Sequence, residues 1–448
     1  MKPFVVRPAP HFRGELLFPG DKAIAHRAAI LSSLAKGTTV IKNFPKNKDC
    51  LATIEALKKL GVKITLKIKK RENCAFSVSG KGLAGLNKSV SPLFMGDSGT
   101  TLRLLLGVLA GQEFKTRLIA GSSLSKRPMF RVTSPLRMMG ATISARRRAS
   151  GQGQPEEYPP ITIEGAGLKG ITYNLPVASA QVKSAILFAG LYAAGKTRVK
   201  EPVRTRDHTE RLMKLFETGI KSKGNTIVIE SGRELVSPKT IFIPGDISSA
   251  AFFMVLAAIT PHSELRLKKI SLNPSRCGII KVLKRMGADI RIKAGNLRAV
   301  VAEPMGDVTV KGSKLKGVTV TREEIPSLID ELPVLVVAAS LAKGKSEFQG
   351  VGELRVKETD RIKSILFNLK KMGADITVDG IGPSEKIIVY GVPRLKGARL
   401  KSFADHRTAM SMIVAASSAK GSSSIDDVSC IDKSFPGFIS ALDTIRPH

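Results

Sequence analysis

The chain has 448 residues, 43% of them hydrophobic and 5% aromatic, with no Trp and a formal net charge of +35 at pH 7. That length exceeds one ordinary core and argues for two domains. Four cysteines without C-x-x-C spacing exclude the usual structural zinc site and a disulfide framework.

No apolar run is as long as a membrane span, and the start of the chain has no signal-peptide core. A cytoplasmic protein is expected. The excess of 72 basic over 37 acidic residues suits polyanions, acidic substrates or a basic proteome background. Few aromatics are available to stack bases, which weakens a single-strand nucleic-acid reading.

Along the chain, six stretches join a turn and a capping residue to a small-residue apolar helix. They start at Asp21, Asp97, Ser179, Asp246, Asp330 and Asp405. Their helices run through Ala28–Leu31, Leu104–Leu106, Ala185–Phe188, Ala251–Met254, Val334–Val337 and Met410–Ile413. Helices apolar nearly all round are expected to be buried. At a near-constant distance after the first five starts come Gly61, Gly140, Gly219, Gly287 and Gly373, each followed by a short β-like run. This predicts a helix closed by a left-handed glycine and passing into a strand. The sixth unit ends near Leu442–Ile445 without such a glycine.

The repeat predicts an α/β protein of βαβ-type units, three to a domain. Pro19-Gly20-Asp21 and Pro244-Gly245-Asp246 read as crossovers. The expected domains are therefore an inserted one, residues 21–243, and a discontinuous one, residues 1–20 plus 244–448. The densest basic cluster, Arg146–Arg148, is expected in a Gly/Pro loop ending at Pro160.

Unusual polar residues gather at the six helix starts. Buried helices that aim their positive ends at one place make an anion site. Asp and Ser there serve as N-caps. Capping does not account for Lys22, Arg27, Arg103 and Arg407, cations set against the helix dipole. Arg355-Val356-Lys357-Glu358-Thr359-Asp360-Arg361 packs six charges into seven residues. It reads equally as an anion site with built-in proton donors and acceptors or as a salt-bridged helix start.

Taken together, Gly20-Asp21-Lys22, Gly99 to Arg103, Lys126 to Met129, Ala178 to Ser184, Thr205 to Glu210, Arg355 to Arg361, Asp405 to Met410 and Lys433 to Pro436 resemble the 5-enolpyruvylshikimate-3-phosphate (EPSP) synthases. The resemblance covers nearly the whole chain in order. It implies an enolpyruvyl transferase fold: two similar domains, each of three βαβαββ repeats around a pseudo-threefold axis, with the active site in the cleft between them. It implies enolpyruvyl transfer from phosphoenolpyruvate to the 5-hydroxyl of shikimate 3-phosphate through a tetrahedral intermediate, on the route to chorismate. It implies no cofactor, no metal, no nucleic-acid or membrane partner, and a monomer.

Carried over by position, Lys22, Gly99, Arg127, Gln181, Arg361, Arg407 and Lys433 are expected to hold phosphoenolpyruvate. Lys22, Ala23, Arg27, Ser179, Ala180, Gln181, Arg206, Asp330 and Lys357 are expected to hold shikimate 3-phosphate. Asp330 falls near the attacking hydroxyl. Glu358 falls where an acid exchanges a proton with the methylene carbon, and Lys22 beside the departing phosphate. Arg103 is expected to support the site. Ala23, Ala180, Asp97 and Glu353 depart from the commoner pattern, and several of these changes resemble the family's second class. Gly99, where second-class members often carry Ala, implies inhibition by glyphosate. The related transferases acting on UDP-N-acetylglucosamine usually carry a loop Cys, which Gly121 to Pro128 lacks. An RNA cyclase would need a nucleophilic His, and His26 and His406 sit inside other motifs.

Overall fold

The computed structural model describes residues 3–67, 74–148, 156–165, 167–295 and 303–447. Two compact units emerge. One runs from Gly20 to Ile243 and takes in Glu303; the other comprises the chain up to Pro19 and that from Pro244 onward, apart from the stretch ending at Glu303. Each has its own hydrophobic core.

One motif builds five of the six sheets found among the described residues; the sixth has three strands, Phe4–Val6, Ser423–Ile425 and Arg399–Leu400. In the first unit, strand Leu93–Phe94 leads into helix Gly99–Leu109 and strand Lys115–Ile119, which pairs parallel to the first. Helix Phe130–Met138 and the antiparallel strands Thr142–Arg148 and Glu156–Glu164 complete the repeat, with the last strand central in the sheet. Strands Thr172–Asn174, Lys196–Lys200, Lys221–Lys223 and Thr226–Glu230 repeat this order. The remaining sheet of this unit holds Thr38–Lys42, Lys63–Lys67 and Ala75–Ser79. Its parallel edge comes from Thr240–Phe242, far along the chain. In the other unit the roles reverse: Arg13–Leu17 is the parallel edge beside Glu264–Ser271. The two strands next to the crossovers are exchanged.

Arg146–Arg148 are not in a loop. They end strand Thr142–Arg148, where Arg147 pairs with Glu157 and Arg148 lies over Tyr158. Pairing with strand Glu156–Glu164 carries the strand through all three arginines. The Gly/Pro-rich stretch that follows lies outside the described residues.

The inner helices, first to sixth, are Lys22–Leu34, Gly99–Leu109, Ala180–Gly190, Ile247–Ile259, Leu332–Ser340 and His406–Ser417. All are buried along most of their length. Asp21, Ser179, Asp246 and Asp405 cap their helices as expected, each accepting first-turn N–H groups. Two starts differ. Ser98, not Asp97, caps the second helix. Asp97 instead accepts the N–H groups of Ser123 and Leu124 at 3.0 and 3.1 Å, tying down the loop before Arg127. Asp330 is not at the capping position: the fifth helix begins at Leu332 with Glu331 there, and the Glu331 side chain turns elsewhere. Gly61, Gly140, Gly219, Gly287 and Gly373 all have positive φ after the outer helices.

Within the first unit the second and third inner helices approach very closely. A methyl group at Gly107 would stand 2.1 Å from the Ala185 carbonyl oxygen. Backbone cannot yield as a side-chain tip can. Gly107→Ala should therefore destabilise the protein by about 1–3 kcal/mol, read as a lower urea midpoint at unchanged m-value; an unaltered midpoint would contradict the close packing.

Candidate active site

The polar residues of the helix starts form two groups, one in each unit. In the first unit, Lys22 opens the first inner helix and its Nζ lies 2.6 Å from Asp49 Oδ2. Arg27, one turn on, is buried. Its guanidinium donates to Thr209 Oγ1 at 2.6 Å, Ser184 Oγ at 2.9 Å and the Ala23 carbonyl at 2.8 Å, all neutral acceptors. Burial pulls its pKa down to about 10, with Arg206 near enough to add to the effect. The Ala23 N–H is bonded to Asp21 Oδ1 at 2.8 Å.

Gly99 begins the second inner helix. A methyl there would lie 2.8 Å from an Arg103 guanidinium nitrogen and 2.9 Å from one of Arg127. Glycine thus leaves room for two cations at one helix N-terminus. Arg103 donates to Gln181 Oε1 at 2.7 Å and to the Pro128 carbonyl at 3.1 Å. Gln181 donates onward to Thr100 Oγ1 at 2.9 Å. Arg103 thereby joins the Gly99 helix, the Arg127 loop and the Ser179–Gln181 start. Ser179 Oγ accepts the Val182 N–H at 3.4 Å, and Ala180 is the first residue of that helix.

Several contributors escaped the sequence reading. Asp49 carried no signal. Lys183 did, being a cation inside an apolar helix. It is fully buried and paired with Glu201 at 3.0 Å and Glu210 at 2.7 Å. Glu201 also accepts the N–H and hydroxyl of Thr205, which fixes the loop carrying Arg206. Below Lys22, His26 is enclosed. Its Nδ1 lies 2.7 Å from Thr53 Oγ1, which meets Thr101 Oγ1 at 2.7 Å, which in turn donates to Ser98 Oγ at 2.7 Å. This chain binds the first two inner helices together at their starts. Burial, then the charge of Lys22, pushes the His26 pKa down to about 3, so its imidazole is neutral.

In the other unit, Arg361 is the first residue of helix Arg361–Lys371 and is buried. Three carboxylates surround it: Glu358 Oε2 at 2.5 Å, Asp405 Oδ2 at 3.0 Å and Asp330 Oδ1 at 3.6 Å. Burial alone would weaken its hold on the proton; Asp405, Glu358 and Asp330 reverse that and raise its pKa. Asp405 uses its other oxygen as the cap of the sixth inner helix, accepting Arg407 N–H at 2.8 Å. Arg407 donates to the Asp330 carbonyl at 3.0 Å, and its Nε stands 3.7 Å from Asp330 Oδ1. Lys357 is half-buried; desolvation lowers its pKa to about 8 against the pull of Asp330, Glu353 and Glu358. Lys433 ends the turn Ser429–Lys433, which packs on the sixth inner helix. Arg355 takes the other reading of its segment, bracing Glu385 and Asp360. The salt-bridged reading of Arg355–Arg361 therefore holds for Arg355, and Arg361 and Glu358 pair with each other as well.

Among the described residues no group of His, Cys, Asp and Glu is arranged to hold a metal, and no helix is long and apolar enough to cross a membrane.

The fold is shared with an enolpyruvyl transferase, NikO of Streptomyces tendae, at a TM-score of 0.74 over 99% of this chain and 97% of that one, with 18% identity. At that identity the likeness fixes the fold class alone. An EPSP synthase structure from Acinetobacter baumannii aligns at TM-score 0.85 and 41% identity, covering 100% of this chain and 98% of its own. The family model "EPSP synthase (3-phosphoshikimate 1-carboxyvinyltransferase)" matches residues 6–442. The 3-phosphoshikimate 1-carboxyvinyltransferase of Geotalea daltonii is 45% identical over 98% of both chains. That of Thermoanaerobacter sp. (strain X514) is 45% identical over 97% of both. The chain belongs to the EPSP synthase family.

The enclosure of His26 has a consequence for acid stability. Its folded pKa, about 3, lies below the ordinary 6.5. The unfolded chain therefore takes up a proton that the folded one refuses. This stability is complete above pH 6.5 and is lost as pH falls toward about 3, by on the order of a few kcal/mol. Urea midpoints of wild type and His26→Gln should diverge least at acid pH and most near neutrality; parallel curves would show that His26 titrates normally.

Proposed function

We propose that this chain performs its family's reaction with the residues assigned above, joining phosphoenolpyruvate to the 5-hydroxyl of shikimate 3-phosphate and releasing phosphate. The observation that supports the assignment most is the group around Arg361. Two guanidinium groups and three carboxylates lie together at the N-termini of two helices. Such a group offers both fixed positive charge for an anion and carboxylates that can exchange protons. In the other unit, Arg27 is a buried cation whose hydrogen bonds all go to neutral groups, which suits it to a phosphate.

In this reading Asp330 accepts the proton of the 5-hydroxyl as its oxygen bonds to C2 of phosphoenolpyruvate. Glu358 gives a proton to the methylene carbon, which becomes a methyl group. In the second half, Glu358 takes a proton back from that methyl, the double bond re-forms and the C2–O bond to phosphate breaks, the departing phosphate taking up the proton held on Asp330. Lys22, Gly99, Arg127, Gln181, Arg361, Arg407 and Lys433 serve phosphoenolpyruvate. Lys22, Ala23, Arg27, Ser179, Ala180, Gln181, Arg206, Asp330 and Lys357 serve shikimate 3-phosphate. Charge on the departing phosphate is stabilised by Lys22. Among these, Ala23 and Ala180 can offer backbone alone. The chain acts as a monomer in the cytoplasm.

Orthophosphate release from phosphoenolpyruvate should require shikimate 3-phosphate. Asp330→Asn and Glu358→Gln should each lower kcat by about 10²–10⁴-fold with smaller effects on KM; near-normal turnover in either variant would remove that residue's role.

Gly99 generates a second expectation. Glyphosate should inhibit the wild type in competition with phosphoenolpyruvate. Gly99→Ala places a methyl against Arg103 and Arg127. It should raise the glyphosate inhibition constant at least about tenfold, the equivalent of 1.4 kcal/mol, and raise KM for phosphoenolpyruvate. Equal inhibition constants for the two proteins would refute the role of this space.

A further inference from the structure

Behind Asp330 lies a second charged cluster that the reaction does not use. Arg276, just before helix Gly278–Arg285, is buried, as are Glu331 and Ser248. Arg276 donates to Glu331 Oε1 at 3.0 Å, to Glu331 Oε2 at 3.4 Å and to Ser248 Oγ at 2.5 Å. Ser248 Oγ also donates to Glu331 Oε1. Ser248 is held in turn by the cap of the fourth inner helix, its N–H donating to Asp246 at 2.8 Å. Two other chain segments therefore converge on the Glu331 carboxylate.

Glu331 adjoins Asp330 and occupies the capping position of the fifth inner helix without using its side chain as a cap. Its N–H donates to the Leu328 carbonyl at 2.9 Å, and its own carbonyl accepts from Leu335 N–H at 3.0 Å. On the other side, Arg407 holds the Asp330 carbonyl. The peptide between residues 330 and 331 is thus held at its carbonyl by Arg407 and at its N–H by the Leu328 carbonyl, while Arg276 holds the side chain that follows it.

A buried ion pair is a poor way to gain stability, because apolar groups of the same volume usually serve as well or better. What charged, multiply bonded groups supply is direction. We propose that Arg276, Glu331 and Ser248 form a positioning cluster that sets the origin and aim of the Asp330 carboxylate. None of the three touches substrate. The proposal rests on the reading of Asp330 as the group that takes the hydroxyl proton.

The test is a kinetic cycle. Removing Arg276 alone would leave Glu331 as a lone buried charge and risk misfolding. The double variant Arg276→Met/Glu331→Met removes both charges at similar volume. It should retain a cooperative unfolding transition, lose at least tenfold in kcat and change KM for phosphoenolpyruvate less than threefold. In an Asp330→Asn background the same double change should cost less than twofold in kcat, because its effect passes through Asp330. Ser248→Ala, the milder variant, should show the same pattern at several-fold and stands as the test if the double variant does not fold. Equal losses in both backgrounds, or an unchanged kcat in the folded variant, would overturn the positioning role while leaving Asp330 in place. Wild-type turnover by Asp330→Asn alone would overturn the reading of Asp330 and the proposal with it.

Discussion

Cations placed at helix N-termini are repelled by the helix dipole, and much of this structure follows from how that repulsion is offset before any substrate arrives. Lys22 meets the Asp49 carboxylate, and two buried arginines show two different solutions. Around Arg361, carboxylates from three segments supply the opposing charge. Around Arg27, the hydrogen-bond partners are two hydroxyls and a carbonyl. Carboxylates neutralise a cation and can also carry protons; neutral acceptors orient it and leave its charge for an anion. The first arrangement suits chemistry, the second suits binding of a phosphate. Rigidity is common to both: each guanidinium makes several directed bonds, so little order remains to be created when a ligand binds.

The exchanged strands give the units their covalent logic. Thr240–Phe242 completes a sheet that begins at Thr38, and Arg13–Leu17 completes one that continues at Glu264. The crossover is tightly fitted. A methyl at Gly20 would lie 2.1 Å from the Asn43 carbonyl oxygen, and Asn43 itself has φ of 58° while its amide donates to the Ile243 carbonyl at 2.8 Å. Lys22 follows Gly20 by two residues, so the same packing that closes the sheet also fixes where the first inner helix starts.

Much of the repeat was legible because its signals are local. A left-handed glycine after an outer helix, a capping Asp or Ser and an apolar helix each need only a few neighbouring residues to be recognised. The two misread starts show the limit. Asp97 sits beside a Ser that caps equally well, and the choice between them is settled by a loop more than 20 residues away, whose N–H groups Asp97 accepts. Asp330 precedes a Glu at the capping position, and distant Arg276 draws that Glu away from capping. Arg146–Arg148 read as a loop because a Gly/Pro-rich stretch follows them, yet they pair across the sheet, Arg147 with Glu157 and Arg148 over Tyr158. The candidate site residues were visible as motifs; the acids that pair with their neighbours, Asp49, Glu201, Glu303 and Glu331, were not, since an acid's buried partner is a fact of tertiary packing. Glu303 holds His208 Nδ1 at 2.7 Å from nearly a hundred positions along the chain.

The supports share a design. Lys183 with Glu201 and Glu210, His208 with Glu303, and Arg276 with Glu331 are all buried, and all lie at or just beyond helix starts that carry site residues. Each puts charge where hydrocarbon would be at least as stabilising. Apolar packing, however, tolerates small rotations and shifts, because its contacts have no preferred direction. A misplacement of about 1 Å at a reacting group can cost two orders of magnitude in rate. A chain that must hold two anions and a proton-transferring carboxylate in register gains more from directed, charged contacts beneath the site than from extra apolar stability there. Under the proposed assignment of the site, the buried pairs serve to hold its helix starts in place.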